Sequence, residues 1–384
     1  MINKSLGYYT CNGQEFASKL EACVYATKNK KTVDWHFNED VFRKHDWTVE
    51  PDLSLDQLYD IRAREIREKY DYVILSYSGG ADSNNILESF IRQQLHIDEV
   101  LVNTMTKANK LTVLDTSIKD SWNTGAEHEL QTVPRLQYIK NACPRTKITV
   151  VDMSDYAFES LSSAGDASWI STKKEILNPG GVIRYNYMYF KDIKNQFDKS
   201  KSITIITGAD KPRTTVHNGN FYFMLIDKAL NGVSVHEHLG DYTNATVENF
   251  YWSPYSTKML IKQSHVIKRW VEANPQYLPA WSFDDPDMYM KNSRLIHERV
   301  LRDVIYSTWN TNWFQVDKST SDWYNEFDSW FYKSYKDTKE FSIWQEGLKH
   351  VVNNASDYIK YENGTQAFGL KAFVHKYNIG KMKI

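Results

Sequence analysis

Between residues 54 and 207 short apolar runs alternate with stretches of helical periodicity, and nothing else in the chain limits its fold as strongly. Residues 54–69, SLDQLYDIRAREIREK, place Leu55, Leu58, Ile61 and Ile66 near one helical face, with Ser54 able to cap the start. Residues 72–77 read as a short buried strand, and 82–94 as a helix with Ile86, Leu87, Phe90 and Ile91 at helical spacing. The alternation continues with strands at 98–103, 147–152 and 202–207 and helices at 125–142 and 184–199. Strands separated by helices pair in parallel, because each crossover helix covers a face of the sheet. The expected class is therefore α/β: a parallel sheet over 71–250 with helices on both faces. Residues 1–70 are expected to be mostly helical. Strand signals stop near residue 250, so 251–384 is expected to form an aromatic-rich helical C-terminal region, with helices over 255–273 and most of 292–352.

Composition excludes several classes. With 384 residues, 41% hydrophobic and 25% charged, the chain can bury a sizeable core. A formal net charge of -1 supplies no global attraction to nucleic acid or to an anionic membrane. No stretch reaches the roughly 18 apolar residues of a membrane span. Residues 1–16, MINKSLGYYTCNGQEF, lack the apolar core of a signal peptide, and Cys11, Cys23 and Cys143 make no paired or zinc-type spacing. A reducing, cytoplasmic setting is expected. The 14% of Tyr, Trp and Phe is read as packing between helices.

The joint between the strand at 72–77 and the helix at 82–94 reads Ser78-Gly79-Gly80-Ala81-Asp82-Ser83. A strand that turns directly into a helix aims unpaired backbone N–H groups at one point, where the helix dipole adds positive character. Gly79 and Gly80 let the main chain approach a bulky anion, and Ser78 and Ser83 can donate to phosphate oxygens. Asp82 would repel phosphate unless a cation intervenes, which points to Mg2+ between carboxylate and phosphate. The bland alternative is a glycine turn with Asp82 and Ser83 as ordinary capping residues. No G-x-x-x-x-G-K-[ST] or G-x-G-x-x-G motif accompanies the joint.

The hexapeptide at 78–83 resembles the PP-loop, S-G-G-x-D-S, of the N-type ATP pyrophosphatases, which lies after the first strand of an adenine-nucleotide alpha-hydrolase-like (HUP) fold. Within that superfamily the chain is most similar to the synthetase domain of asparagine synthetase. The resemblance implies ATP and Mg2+ as cofactors, with Ser78, Gly79, Gly80, Asp82, Ser83 and Gly208 at the phosphates. Val102 and Asn103 would hold adenine through main-chain groups. Thr207-Gly208-Ala209-Asp210 sits where the family carries a second glycine-acid motif, making Asp210 a second metal contact beside Asp82. The family usually has an acidic residue next, whereas this chain has Lys211, Pro212 and Arg213. Lys211 and Arg213 can neutralise phosphates directly or stand as solvated loop cations. With Asp82 and Asp210 they complete the expected catalytic set.

The resemblance implies attack of a substrate oxygen on the alpha phosphate, giving an adenylate and pyrophosphate, and displacement of AMP by ammonia or an amine. Ile2 follows Met1 and about 70 residues precede the loop, so no glutaminase with a cysteine after the initiator is expected. A modifier of nucleic-acid bases and a nucleotide-binding module without chemistry are the alternatives, and the near-neutral charge disfavours a nucleic-acid substrate. The expected partners are ATP and a small molecule, with no membrane. Three weaker features complete the reading. His236-Glu237-His238 offers two imidazoles on one strand face but no third ligand. Lys258, Lys262 and Lys268, in the segment 249–270, can face substrate or solvent. Residues 213–223 follow the second motif and by position can meet the second substrate.

Overall fold

The computed structural model describes residues 4–104, 127–152, 200–208, 211–227, 245–282, 300–310, 335–362 and 366–383, with positions 2, 198, 297, 312, 313 and 332. The strands are β1 (Tyr8–Cys11), β2 (Gln14–Phe16), β3 (Asp34–His36), β4 (Tyr72–Ser76), β5 (Glu99–Thr104), β6 (Lys147–Asp152) and β7 (Ile203–Thr207). They continue as β8 (Arg213–His217), β9 (Asn220–Ile226), β10 (Ala245–Asn249), β11 (Ile359–Glu362), β12 (Gln366–Leu370) and β13 (Val374–Lys381). The principal helices are α1 (Lys19–Asn29), α2 (Leu55–Lys69), α3 (Ala81–Arg92), α4 (Val133–Ala142), α5 (Thr257–Ala273) and α6 (Lys339–Asn354).

The expected parallel sheet is present, in the order β10-β7-β4-β5-β6 and flanked by helices. Every pairing in it is parallel, as in Ile74 opposite Glu99 and Tyr72 opposite Ile203. Val73, Ile74 and Leu75 of β4 are buried, as is all of β7, which matches the near-continuous apolar runs of strands covered on two sides. The chain starts in the middle at β4, runs outward through β5 and β6, then returns to the other side of β4 as β7. That reversal lies between β4 and β7, and in sheets of this kind ligands bind beyond the carboxyl ends of the strands at such a point. Residues 184–199 lie almost wholly outside the described residues.

Helix α2 starts as its sequence suggests, in a capping box between Ser54 and Gln57. Its buried face differs from the expected one: Leu58, Tyr59, Arg62, Ala63 and Ile66 point inward and Ile61 is exposed. Spacing by four places 58, 62 and 66 on one stripe and turns 61 away from it. Arg62 is buried because β10 supplies its partner. Its Nη2 donates to Glu248 Oε2 at 2.7 Å, while Lys69 and Tyr70 donate to the other oxygen at 2.8 and 2.6 Å. Burial pushes the Glu248 carboxyl up, but the Arg62 charge and the hydrogen bonds from Lys69, Tyr70 and Arg62 outweigh it and hold the group below its ordinary value.

Two expectations need correction. Residues 1–70 hold more than the expected helices, since β2-β1-β3 add an antiparallel sheet. The C-terminal region is not purely helical either: β11 and β12 form a hairpin, and β13 joins β9 and β8 in a second antiparallel sheet. The strands β1–β3 span three or four residues each, too short for a period of two to register. β13 draws its partner from far away in the chain, with Tyr377 opposite Phe223. The aromatic residues follow the same logic. Trp47 stacks on both Phe223 and Tyr377, so this part of the aromatic packing serves strands as much as helices. A buried Lys19–Asp227 ion pair of 2.6 Å fastens α1 to the end of β9.

At the junction of β3 with β13 a carboxylate lies between two imidazoles. Glu39 accepts from the Phe37 N–H at 3.0 Å and faces His375 at 3.2 Å and His36 at 3.3 Å. Burial raises its pKa, yet the His375 hydrogen bond and the backbone donors prevail and bring it down to about 2. A depressed carboxylate stabilises the fold above its ordinary value near 4.5 and loses that contribution as pH falls toward 2. Glu39→Gln should therefore lower the unfolding midpoint at pH 6, and the gap to the parent protein should close between pH 4.5 and 2. Equal midpoints at pH 6 would remove this assignment.

Candidate functional site

The turn from β4 into α3 is shaped by one strained position. Gly79 has φ +74°, and a Cβ there would stand 3.0 Å from Thr132 Cα and 3.2 Å from its hydroxyl. Gly80, the N-cap of α3, has extended backbone, and its Cβ would meet only the Ser78 hydroxyl at 3.3 Å and Gln131 Nε2 at 3.7 Å. With no side-chain oxygen at the N-cap, neighbouring serines order the turn. Ser83 Oγ accepts from the Ser78 N–H at 3.3 Å and donates to the Gly80 carbonyl at 3.2 Å, while Ser78 Oγ accepts from the Gly80 N–H at 3.3 Å. Both hydroxyls thus help to order the loop, Ser83 as donor and acceptor and Ser78 as acceptor. The first intrahelical bond runs from Asn84 N–H to Gly80 O, so the amides of Ala81, Asp82 and Ser83 belong to the first turn, which has no intrahelical acceptors.

A second segment grips the loop from behind. A π-helical turn, Glu127–Thr132, leads into α4. Thr132 Oγ1 donates to Ser78 O at 2.9 Å, and Arg135 Nη1 donates to Gly79 O at 2.6 Å. The Arg135 guanidinium lies over the rings of Trp309 and Trp313, at 5.0 and 4.5 Å from their centroids. Burial pushes its pKa down from the ordinary arginine value.

Asp82 is the electrostatic centre. Its Oδ2 pairs with Lys211 Nζ at 2.5 Å, and its Oδ1 accepts from Tyr306 OH at 2.5 Å. Tyr251 OH donates to the Asp82 carbonyl at 2.9 Å and accepts from Asn85 Nδ2 at 3.0 Å. Tyr59 packs against both tyrosines at 6.0 Å between ring centroids. Burial, reinforced by the Asp82 charge, raises Tyr251 and Tyr306 well above the ordinary phenol value, so both remain protonated donors. Gly208, at the end of β7, brings its backbone against this turn: a Cβ there would lie 3.4 Å from Asp82 Cβ and from Ser83 N.

No protein-family model and no curated protein matches this chain. The site therefore rests on its geometry.

Of the sequence-derived candidates, Ser78, Gly79, Gly80, Asp82, Ser83, Gly208 and Lys211 come together at the switch point. Val102 is buried inside β5, and Asn103 is exposed near that strand's carboxyl end. Arg213 is buried at the start of β8, opposite Met224 in the antiparallel sheet. Asp210 lies outside the described residues, as does His236-Glu237-His238. The three lysines of α5 do not reach the loop. Lys262 pairs with Glu50 at 2.7 Å and Lys268 with Glu272 at 2.5 Å, while Lys258 is exposed. That segment meets the loop through Tyr251 instead. Sequence reasoning missed Thr132, Arg135 and Tyr306, whose segments only apolar spacing marked, and in the segment 249–270 it singled out the lysines rather than Tyr251.

Among the described residues no group of three or more His, Cys, Asp and Glu side chains is placed to hold a metal ion. Asp82 fits a more limited role. Each of its oxygens has one donor and keeps a second lone pair, so it can add one carboxylate to a Mg2+ that arrives on phosphate. Helix N–H groups, a cation on either side and one carboxylate suit a polyphosphate better than a simple monoanion.

Proposed function

We propose that the chain is an ATP-dependent, AMP-forming synthetase of the PP-loop ATP pyrophosphatase type, built on a HUP-like sheet and similar to the synthetase domain of asparagine synthetase. The observation that carries this reading is the Ser78–Ser83 turn at the β4/β7 reversal, with Asp82 held between Lys211 and Tyr306. Bound Mg2+, held in part by Asp82, would supply positive charge between the phosphate groups. The first-turn amides of α3 orient the phosphates, and Gly79 lets the main chain approach them. Lys211 balances the Asp82 charge, so the loop does not repel an incoming polyanion. Tyr306 fixes the carboxylate and donates a proton to no substrate, since burial keeps its phenol intact. The site would position a substrate oxygen in line with the alpha phosphate, and ammonia or an amine would then displace AMP.

Incubating the protein with alpha-labelled ATP, Mg2+ and metabolite pools should release AMP and pyrophosphate in equal amounts. ADP as the stoichiometric product would overturn the reaction class. A non-catalytic nucleotide-binding module is the second reading, favoured by the Lys211–Asp82 pair, which satisfies the carboxylate without a metal. ATP binding without AMP formation across all pools would select it.

A further inference from the structure

Two side chains behind the loop have hydrogen-bonding capacity that the fold leaves unused. Arg135 is 6% exposed; its Nη1 bonds Gly79 O, but Nε and Nη2 have no partner among the described residues. Gln131 is 1% exposed, and neither of its amide atoms has a partner among them. Among the described residues no carboxylate pairs with Arg135 or shifts its ionisation. Burying a guanidinium without a counter-charge is unfavourable, and so is burying an unpaired amide. The fold nevertheless holds the cation firmly, with the two indoles fixing the guanidinium plane.

The unused atoms have a particular shape. Nε and Nη2 share one edge of the guanidinium, the fork that matches two oxygens of a single oxyanion. Gln131 Nε2 lies 3.7 Å from where a Gly80 Cβ would stand, so its amide faces the same loop. Lys211 is paired with Asp82, whereas Arg135 has no acid against it among the described residues.

We propose that Gln131 and Arg135 form a subsite for a pyrophosphoryl group, the distal two phosphates of the nucleotide, an assignment that rests on the nucleotide reading of the loop. A terminal phosphate has three oxygens, so it can take the arginine fork on two and offer the third to another donor, whereas a carboxylate spends both of its oxygens on the fork. The same contacts would stabilise pyrophosphate as it leaves, because charge grows on that fragment when its bond to the alpha phosphate breaks.

The test measures binding of pyrophosphate, Mg-ATP, AMP, inorganic phosphate and acetate to the full chain by calorimetry, with ligand-free unfolding in parallel. Arg135→Lys keeps the charge and loses the fork; it should weaken pyrophosphate and ATP about tenfold to a hundredfold, the size expected for a charge-assisted bidentate contact. AMP affinity should stay within about twofold. Gln131→Leu should weaken pyrophosphate severalfold while raising the ligand-free unfolding midpoint, because it removes an unpaired buried amide. A merely structural glutamine would not show that split, and this variant decides the matter if Arg135→Lys misfolds. Equal losses for AMP and pyrophosphate, unchanged pyrophosphate binding in both variants, or acetate competing while pyrophosphate does not would each overturn the subsite. A parent protein that binds neither ATP nor pyrophosphate would instead overturn the nucleotide reading beneath it.

Discussion

Gly79→Ala is expected to abolish measurable ATP binding, while Gly80→Ala weakens it only modestly. From the motif alone both glycines suit the cradle, and Gly80 is the one where a Cβ is expected to take the space of a phosphate oxygen. The structure separates them by backbone angle and by contact. Alanine at 79 must adopt φ +74° and must also push its Cβ away from Thr132 Cα, a main-chain atom 3.0 Å distant. The strain amounts to about 1–3 kcal/mol, and relieving it means pulling the loop off the α4 turn that anchors Ser78 O and Gly79 O. A loop displaced by even about 1 Å loses its alignment with an anion, at a cost on the order of a hundredfold. Alanine at 80 keeps an ordinary extended conformation and needs only a small shift of a hydroxyl. Calorimetric titration with ATP and a denaturant curve for each variant provide the check. The cradle assignment fails if Gly79→Ala binds like the parent, or if Gly80→Ala proves the more damaging.

Asp82→Asn should cut Mg2+-dependent AMP formation by about a thousandfold, the scale of losing one preorganised electrostatic group. It should also destabilise the protein, because Lys211 is 7% exposed and would lose its ion pair with Asp82. Breaking one side of such a buried pair costs about 3 kcal/mol. A double variant, Asp82→Asn with Lys211→Met, separates the two effects: part of the stability should return, since this ion pair is then removed whole rather than broken on one side, and turnover should not. Unfolding curves read the first quantity and AMP release the second. If the double variant regains turnover along with stability, Asp82 serves only the fold and the chemical role assigned to it is wrong.

Much of this arrangement was legible in the chain itself. The period-based strands at 72–77, 98–103, 147–152 and 202–207 correspond to β4, β5, β6 and β7, and the helices starting at Ser54 and Asp82 fall within a residue or so of α2 and α3. Such segments are readable because a covered parallel strand must be apolar along its length, and a crossover helix must show one apolar stripe. The Ser78–Ser83 joint was legible for a similar reason: a strand-to-helix turn with a left-handed residue has few solutions without glycine.

What the tertiary structure decided is which residues meet. Lys211 stands 129 positions from Asp82 in the chain, and Tyr306 stands 224 positions away, so no local pattern pairs either with that carboxylate. Arg135 resembles any surface arginine in an amphipathic stretch until the folded chain lays Trp309 and Trp313 across it and brings Gly79 O to its Nη1. The antiparallel sheet β13-β9-β8 escaped notice because strand pairing is long-range, while the side-chain alternation that marks a strand is weak in short elements. Local sequence determines backbone shape and the direction of each buried face. The balance of buried charges depends on distant partners, and it takes form only when the chain closes on itself.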